Sequence, residues 1–423
     1  MEKILRATEK IIPKKVYRFF QPVYHLILAL VGTALYRAPS RHLYVIGVTG
    51  TKGKSSTVEF VNSVLEASDK KTAILSTIRF KVGDDSRPNK YKMTMPGRFF
   101  TQKFLHDAVQ AGCEYAIIEM TSEGARFFRH IGIDMDALIF TNLSPEHIES
   151  HGSFENYKNA KLRFVKQLAK SKKSSRLSIA NTDNKHAFSF LISTVEKNRG
   201  YSLRDVTILN ETQSFSTILY KGTEITIPLP GKFNILNALA ALTLAKELDL
   251  PIENSKHGIE RLKKIRGRVE SIDCGQNFTV IVDYAHTDDS LTKLYTAFPS
   301  SRKIAVLGST GGGRDSWKRP VLGAIADEYC NDIIITNEDP YDEDPMKIVN
   351  EVASGVTRHA PIIILDRREA IAHALSLARA TDTVLITGKG TDPYIMGAHG
   401  SKEVWDDATV AREELGKQLA NSK

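Results

Sequence analysis

No stretch of this chain constrains its fold as tightly as Val45-Ile-Gly-Val-Thr-Gly-Thr-Lys-Gly-Lys-Ser-Ser56. A β-branched apolar run feeds a glycine-rich turn, and Lys54, Ser55 and Ser56 then open a helical pattern through Val58, Val61, Val64 and Leu65. Strand, phosphate cradle and helix N-terminus follow in that order. Gly50 and Gly53 let the backbone N–H groups around Thr51 and Lys52 close on an anion, Lys54 can reach a β/γ-phosphate, and Ser55 can ligate Mg²⁺. The match to the usual phosphate-loop pattern is not strict, because Val48 stands where the first glycine should fall. An ordinary strand–helix turn with a chance lysine is the bland alternative. Gly-Lys-Ser directly after a strand favours bound ATP or GTP.

From residue 43 onward apolar strand-like runs alternate with helical patterns, the mark of a doubly wound α/β sheet. Tyr115–Glu119 reads as a buried strand ending in a carboxylate, and Ala137–Asn142 as another ending in polar groups. Ligands of open parallel sheets sit beyond the carboxyl ends of the strands, so Glu119 and Asn142 are expected on one rim with the phosphate loop. Short alternating runs within 176–230 predict an antiparallel appendage. A helix over Asn237–Leu248 is broken by Pro251, and a fresh α/β pattern starts at Thr279–Asp283 and runs through Lys303, Asp332, Ile362 and Thr383. A chain of 423 residues is too long for one core. The expected division is an N-terminal basic and apolar helical segment (1–40), a central phosphate-loop domain with a mostly parallel sheet (41–266) and a smaller Rossmann-like α/β domain (267–423).

The net charge of +9 is spread along the chain, which favours anionic small molecules or a membrane surface over nucleic acid, since no aromatic-interleaved basic stripe appears. Cys113, Cys274 and Cys330 lack metal-like spacing and read as buried thiols in a reducing compartment, so a cytoplasmic protein is expected. Residues 19–36 carry no formal charge and are flanked by Lys14, Lys15, Arg18, Arg37 and Arg41. The run is short for a bilayer, and no cleavage site follows it. It reads either as a helical hairpin packed on the neighbouring domain or as an anchor on the inner face of an anionic membrane.

Further motifs come in a fixed order: Glu119-Met-Thr-Ser122, Phe140-Thr-Asn-Leu-Ser-Pro-Glu-His147, His151-Gly-Ser-Phe-Glu-Asn-Tyr157, Ala160-Lys161, Gly231-Lys-Phe-Asn-Ile-Leu-Asn237, Gly267-Arg-Val-Glu270, Asp283-Tyr-Ala-His-Thr287, Gly313-Arg-Asp315, Lys318-Arg-Pro320 and Gly388-Lys-Gly390. With the phosphate loop, this series resembles the Mur ligases over about residues 43–415. Within them it is most similar to the MurE type, which adds the third amino acid to UDP-N-acetylmuramoyl-L-alanyl-D-glutamate. The resemblance implies an ATP-dependent peptide ligase of peptidoglycan biosynthesis, working as a monomer on a muramoyl dipeptide and an amino acid. ATP phosphorylates a carboxylate, the amine attacks the acyl phosphate, and the protein aligns anions and neutralises charge.

By that resemblance Lys54 holds the phosphates, Ser55 and Glu119 ligate one Mg²⁺, and His147 takes a second with a carbamylated Lys161. Alone, Lys161 would read as a solvated helix lysine and His147 as a core histidine. Asn237 and Arg268 match positions contacting adenine and phosphates, and Asp283 and Lys318 come from the second domain, whose closure would exclude water. Thr94 (in Thr94-Met-Pro96), Ser122 and Arg129 match the acceptor site. Arg314 matches the anchor of the amino acid's α-carboxylate.

Departures from the family pattern carry their own expectations. Some 40 residues precede the first strand, too few for the usual uridine-gripping domain, so the UDP group is held otherwise or the donor differs, a lipid-linked one included. Glu123 stands where a histidine is usual. Enzymes adding meso-diaminopimelate carry Asp-Asn-Pro-Arg, and here Glu338-Asp-Pro-Tyr341 lacks the arginine clamp. Glu338, Asp339, Asp342 and Asp392, near Tyr341 and Gly388, favour a lysine-like substrate, against the plain reading of a solvated acidic loop. The alternatives are a folylpolyglutamate or polyglutamate synthase, a non-catalytic nucleotide-binding relative, and a phosphate-loop switch protein.

Overall fold

The computed structural model describes residues 14–421 apart from 147, 192–194, 300–301 and 314. His147 and Arg314, assigned above to a metal ion and an α-carboxylate, therefore lie outside the described residues. The chain divides into two compact units, Met1–Val58, Ser68–Leu143 and Lys158–Tyr201 forming one, and Glu59–Ala67, Ser144–Tyr157 and Ser202–Lys423 the other.

The first unit is built on an eight-stranded sheet. Its strands are β1 (Tyr44–Thr49), β2 (Thr72–Leu75), β3 (Arg79–Val82), β4 (Asp85–Pro88), β5 (Tyr115–Met120), β6 (Ala137–Phe140), β7 (Leu177–Asn181) and β8 (Lys197–Tyr201), in the order β4-β3-β2-β5-β1-β6-β7-β8. All neighbours pair in parallel except the β2–β3–β4 meander at one edge. The central strands are buried along nearly their whole length, as strands covered on both faces must be, which is why β1, β5 and β6 read as unbroken apolar runs. The expected antiparallel appendage is smaller than the 176–230 segment. β7 and β8 join the parallel sheet, because Leu177–Asn181 is buried throughout and pairs with β6.

Residues Lys14–Leu35 form one continuous helix that runs through Pro22, not a hairpin. It packs on the helix Arg98–Gln110 through Ala29, which is buried, and Gly32, beside Phe99. Its other side exposes Leu26, Ile27, Leu30, Val31 and Leu35. Among the described residues no helix is long and apolar enough to cross a membrane.

The second unit holds an antiparallel sheet of β9 (Thr207–Glu211), β10 (Ser216–Tyr220) and β11 (Thr223–Ile227), two helices (Lys232–Glu247 and Ile252–Glu260), and a six-stranded sheet. The strands of that larger sheet are β12 (Glu270–Ser271), β13 (Thr279–Asp283), β14 (Lys303–Leu307), β15 (Asp332–Ile335), β16 (Ile362–Ile363) and β17 (Thr383–Thr387), ordered β12-β13-β17-β14-β15-β16 and parallel except for β12. Strand alternation splits its core in two. Val280, Val282, Ile304, Val306, Val384 and Ile386 pack with Ala370, Ile371 and Ala374, whereas Ile281, Ala305, Leu307 and Leu385 pack with Leu294, Tyr295, Leu322 and Val349. Both faces are covered by helices, as in a doubly wound fold. Cys113 and Cys330 are buried, but Cys274 is exposed, because it sits in the turn between β12 and β13 rather than in a core strand.

Candidate nucleotide and ligase site

The phosphate loop joins β1 to the helix Lys54–Ala67 and is fixed from the end of β6. Thr51 N–H donates to the Asn142 carbonyl at 2.8 Å, Lys52 N–H to Asn142 Oδ1 at 2.9 Å, and Asn142 Nδ2 returns a bond to the Lys52 carbonyl at 3.1 Å. Thr141 Oγ1 donates to the same carbonyl at 2.6 Å. Gly50 is required at this crossing: with φ at 150°, a Cβ would lie 2.0 Å from Thr141 Oγ1. The Lys54 ammonium curls over the loop onto the carbonyls of Gly50 (3.1 Å) and Thr51 (2.8 Å). Gly53 takes a positive φ at the helix start, and Ser55 and Ser56 are buried in the first turn.

Glu119, 2% exposed at the end of β5, faces this loop. Its Oε2 accepts from Ser55 Oγ at 3.0 Å and from Thr77 N–H at 2.8 Å, and its Oε1 accepts from Thr77 Oγ1 at 2.9 Å. Thr77 Oγ1 also lies 2.7 Å from Thr94 Oγ1. Thr77 thus links the phosphate loop to the Thr94 segment, and the sequence reading missed it. The available signal was a polar Ser76-Thr77 pair directly after β2. Lys161 is not a solvated helix lysine: it is 1% exposed and donates to the Gly50 carbonyl at 2.7 Å. Ser122 is buried in the first turn of the short helix Ser122–Arg126, capped by Thr121. Arg129 donates to the Met95 carbonyl at 2.5 Å.

In the second unit, Asn237 is buried and donates to Asn234 Oδ1 at 3.3 Å. The Arg268 guanidinium lies 4.6 Å over the Tyr284 ring. The Asp283 carboxylate accepts from the Val269 and Ala285 N–H groups, each at 2.7 Å, and burial pushes its pKa up. Lys318 opens the helix Lys318–Tyr329 and is half-buried.

The acidic loop is less available than its sequence suggests. Lys389, fully buried, gives its ammonium to Asp339 Oδ1 at 2.8 Å and to the Tyr394 carbonyl at 2.7 Å, with Asp392 Oδ2 at 3.5 Å. Asp339 and Asp392 therefore have a cation within the fold. Glu338 differs: Oε1 accepts from Thr310 Oγ1 at 2.7 Å, while Oε2 is buried without a hydrogen-bond partner among the described residues. That atom faces Gly388, where a Cβ would sit 2.4 Å from it. Tyr341 has a positive φ and donates its N–H to the Met396 carbonyl at 3.0 Å. Among the described residues no group of three or more His, Cys, Asp or Glu could hold a metal ion.

A phosphate loop at the carboxyl end of a parallel sheet, with a serine hydroxyl bonded to a buried carboxylate, defines a nucleotide-dependent enzyme of the phosphate-loop class. Residues 48–245 match the Mur ligase middle domain, and residues 267–390 match the Mur ligase, glutamate ligase domain. A UDP-N-acetylmuramyl-tripeptide synthetase of Roseiflexus sp. (strain RS-1) is 35% identical, the match covering 94% of this chain and 83% of that protein. The UDP-N-acetylmuramoyl-L-alanyl-D-glutamate–2,6-diaminopimelate ligase of Bacillus cereus is 33% identical, with the same two coverages. A solved structure of a ligase of that name superposes with a TM-score of 0.60 at 28% identity, covering 89% of this chain and 79% of its own. The chain belongs to the Mur ligase family. It is an ATP-dependent ligase acting on small-molecule substrates.

Proposed function

We propose that this ligase adds the third amino acid to a muramoyl-alanyl-glutamate carboxylate in peptidoglycan-precursor synthesis in the cytoplasm. The carrying observation is the unbroken hydrogen-bonded line Ser55–Glu119–Thr77–Thr94, which ties the phosphate loop to the segment matching the family's acceptor site. The acceptor carboxylate oxygen attacks the γ-phosphorus of ATP, and ADP leaves. The amine nitrogen then attacks the acyl carbon, loses a proton, and the tetrahedral intermediate collapses to amide and phosphate. Gly50, Thr51, Lys52, Gly53, Lys54 and Ser56 would cradle the phosphates, and Asn237, Arg268 and Asp283 would serve the nucleotide, with Lys318 at the transferred group. The folylpolyglutamate alternative is disfavoured by relatives at one-third identity that are named for muramoyl peptides.

Mg²⁺ fits the hydroxyl and carboxylate oxygens of Ser55 and Glu119, since it takes one or two protein oxygens alongside phosphate and water. When bound it would supply charge neutralisation to the phosphates. A carbamylated Lys161, with His147, would hold a second ion. Support for that role is the burial of Lys161 against the phosphate loop.

For the added residue, we favour a lysine-like amino acid. Tyr341 replaces the arginine clamp, and Glu338 presents an unpartnered buried oxygen, while Asp339 and Asp392 contribute less because Lys389 neutralises them. Arg129, Ser122 and Thr94 would bind the acceptor peptide and Arg314 the α-carboxylate. The chain is read as a monomer, divided functionally at 266/267. The charge-free apolar side of the helix Lys14–Leu35, with basic residues on both flanks, supports peripheral contact with an anionic membrane. Vesicle flotation that is unchanged when residues 1–40 are removed would reject that contact.

The deciding experiment is a mass-spectrometric ligation assay with ATP, Mg²⁺ and UDP-N-acetylmuramoyl-L-alanyl-D-glutamate against lysine, ornithine, meso-diaminopimelate and neutral amino acids. A product heavier by one basic residue is expected. Faster ligation of diaminopimelate would overturn the lysine-like pocket, and no product with any amino acid would overturn the donor.

A further inference from the structure

The segment 89–97, which follows β4 and carries Thr94, is tied down at its start. Asn89 is buried: its N–H donates to the Ile78 carbonyl at 3.0 Å, and its Nδ2 to the carbonyls of Ser76 at 2.9 Å and Met93 at 3.0 Å. Its Oδ1 accepts from Tyr91 N–H at 2.9 Å. Ser76 and Ile78 flank Thr77, so this turn is anchored beside the hydroxyl that meets both Glu119 and Thr94.

The turn is ordered, yet it holds apolar side chains in water: Tyr91 is 55% exposed and Met93 43%. The Tyr91 ring is nevertheless fixed. It meets the buried Phe80 at 5.9 Å and Phe100 edge-on at 5.3 Å, and those two rings lie 5.1 Å apart. A held aromatic ring left open, on a loop whose backbone is already hydrogen-bonded, is preorganised to be covered. Its charged neighbours are basic. Arg87 lies directly across from Phe80 in the β3–β4 pairing, on the same face of the hairpin, and Lys90 adjoins Tyr91; both are exposed. The acids of this hairpin, Asp84 and Asp85, lie at its other end, in the turn.

We propose that Tyr91, held by Phe80 and Phe100, is the platform on which the hexose ring of a diphosphate-linked acceptor rests, with Arg87 and Lys90 at its anionic end. A pyranose suits the place: one of its faces presents C–H bonds to an aromatic ring, while the hydroxyls around its rim stay in water. A purely apolar occupant would not answer the basic pair. Position favours the hexose over a nucleotide base. Thr94 is three residues on, at most about 11 Å between Cα atoms, so the part of the acceptor that reaches Tyr91 is the part next to its peptide. Assigning the hexose to the ligase's acceptor rests on the function proposed above; the platform itself rests on Tyr91 and its neighbours. Tyr91 lies outside the motifs that carry the family resemblance.

The test is saturation-transfer NMR on the full chain, its phosphate loop filled with ADP and Mg²⁺. The probe is UDP-N-acetylglucosamine, which carries an acetamido hexose and a diphosphate but no peptide. In wild type, saturation is expected on the hexose ring protons more than on the uracil protons, and N-acetylglucosamine 1-phosphate should give the same hexose signal. Tyr91→Ala should lower that signal several-fold, and Tyr91→Phe should retain it. Absence of the signal in wild type, saturation confined to the uracil, or an equal hexose signal in Tyr91→Ala would each overturn the platform. Because Tyr91→Ala also removes packing on Phe80 and Phe100, the second variant is Lys90→Gln, at an exposed side chain. Its affinity for the probe should fall a few-fold and depend less on salt, and wild-type affinity with wild-type salt dependence would overturn the assignment of the anionic end. The two readings separate. Tyr91-dependent hexose contact without third-residue ligation keeps the platform and rejects the function, whereas ligation with an unchanged acceptor KM in Tyr91→Ala keeps the function and rejects the platform.

Discussion

Lys161 and Lys389 are equally buried, at 1% and 0% exposed, yet they meet different surroundings. Lys389 is answered within its unit by Asp339, Asp392 and a carbonyl, and the same region carries two more buried cations in ion pairs: Arg319 with Glu343 and Glu351, and Arg367 with Asp407. Lys161 donates to a carbonyl of the phosphate loop, and around that loop Glu119 is held by hydroxyls and a backbone N–H. The first arrangement fixes geometry by internal neutralisation. In the second, the Glu119 carboxylate is addressed by hydroxyl and N–H dipoles, which suits a region that must receive phosphates. Burial alone therefore does not distinguish a structural lysine from a functional one; Lys161 differs in lying against the phosphate loop.

The sharpest break of this comparison is substitution of each lysine. Lys161→Ala is expected to lower the ligation rate by about 10²–10³-fold, with partial rescue by a short carboxylate, while the protein stays folded. An alanine variant with full activity would remove Lys161 from the mechanism. Lys389→Met should instead cost about 3–5 kcal/mol of stability by leaving Asp339 buried and uncompensated, measured by urea denaturation. A melting curve like that of wild type would show that the pair is not structural.

Thr77→Val tests whether the hydroxyl line matters, since it removes the bond to Glu119 Oε1 and the link to Thr94 while keeping the side chain's shape. A loss of about tenfold in kcat/KM is expected with the fold intact, and an unchanged rate would reduce Thr77 to packing. Glu338→Gln should shift the lysine-to-diaminopimelate preference by only a few fold, because it removes one charge from the pocket; an unchanged preference would clear Glu338 of any role in selection. The smallest effect concerns pH. The Arg319 hydrogen bond holds Glu343 below its ordinary carboxylate range, so its contribution is present above the unfolded value and is lost as pH falls through the folded one. Glu343→Gln should flatten that acid limb of stability, and an identical limb in the variant would assign it to other carboxylates.

Much of the fold was legible because its signals are local. β1, the phosphate loop and the following helix were readable from twelve consecutive residues (45–56) and the apolar spacing after them, and β13–β17 from their apolar runs. The extent of the antiparallel appendage was misjudged because β7 is a short run whose partner β6 lies outside the segment, and β8 joins the same sheet through β7. The hairpin offered as one reading of residues 19–36 is a single helix, since one proline removes one backbone bond without ending a helix that has a surface to pack on. Within the site, residue types carried Lys54, Ser55 and Glu119, whereas Thr77 was marked only by the polar Ser76-Thr77 pair after β2, a signal that many turns share.

The sequence by itself determined the order of strands and helices, the phosphate loop and the family, since backbone propensity and side-chain period act over a few residues. Tertiary structure alone decided which polar groups answer one another. Thr77 meets Glu119 across 42 positions, Lys389 meets Asp339 across 50, and Lys161 meets Gly50 across 111. No periodicity encodes such pairs. They follow from where the folded chain excludes water, because there every charge and donor must find a partner or be left to receive one.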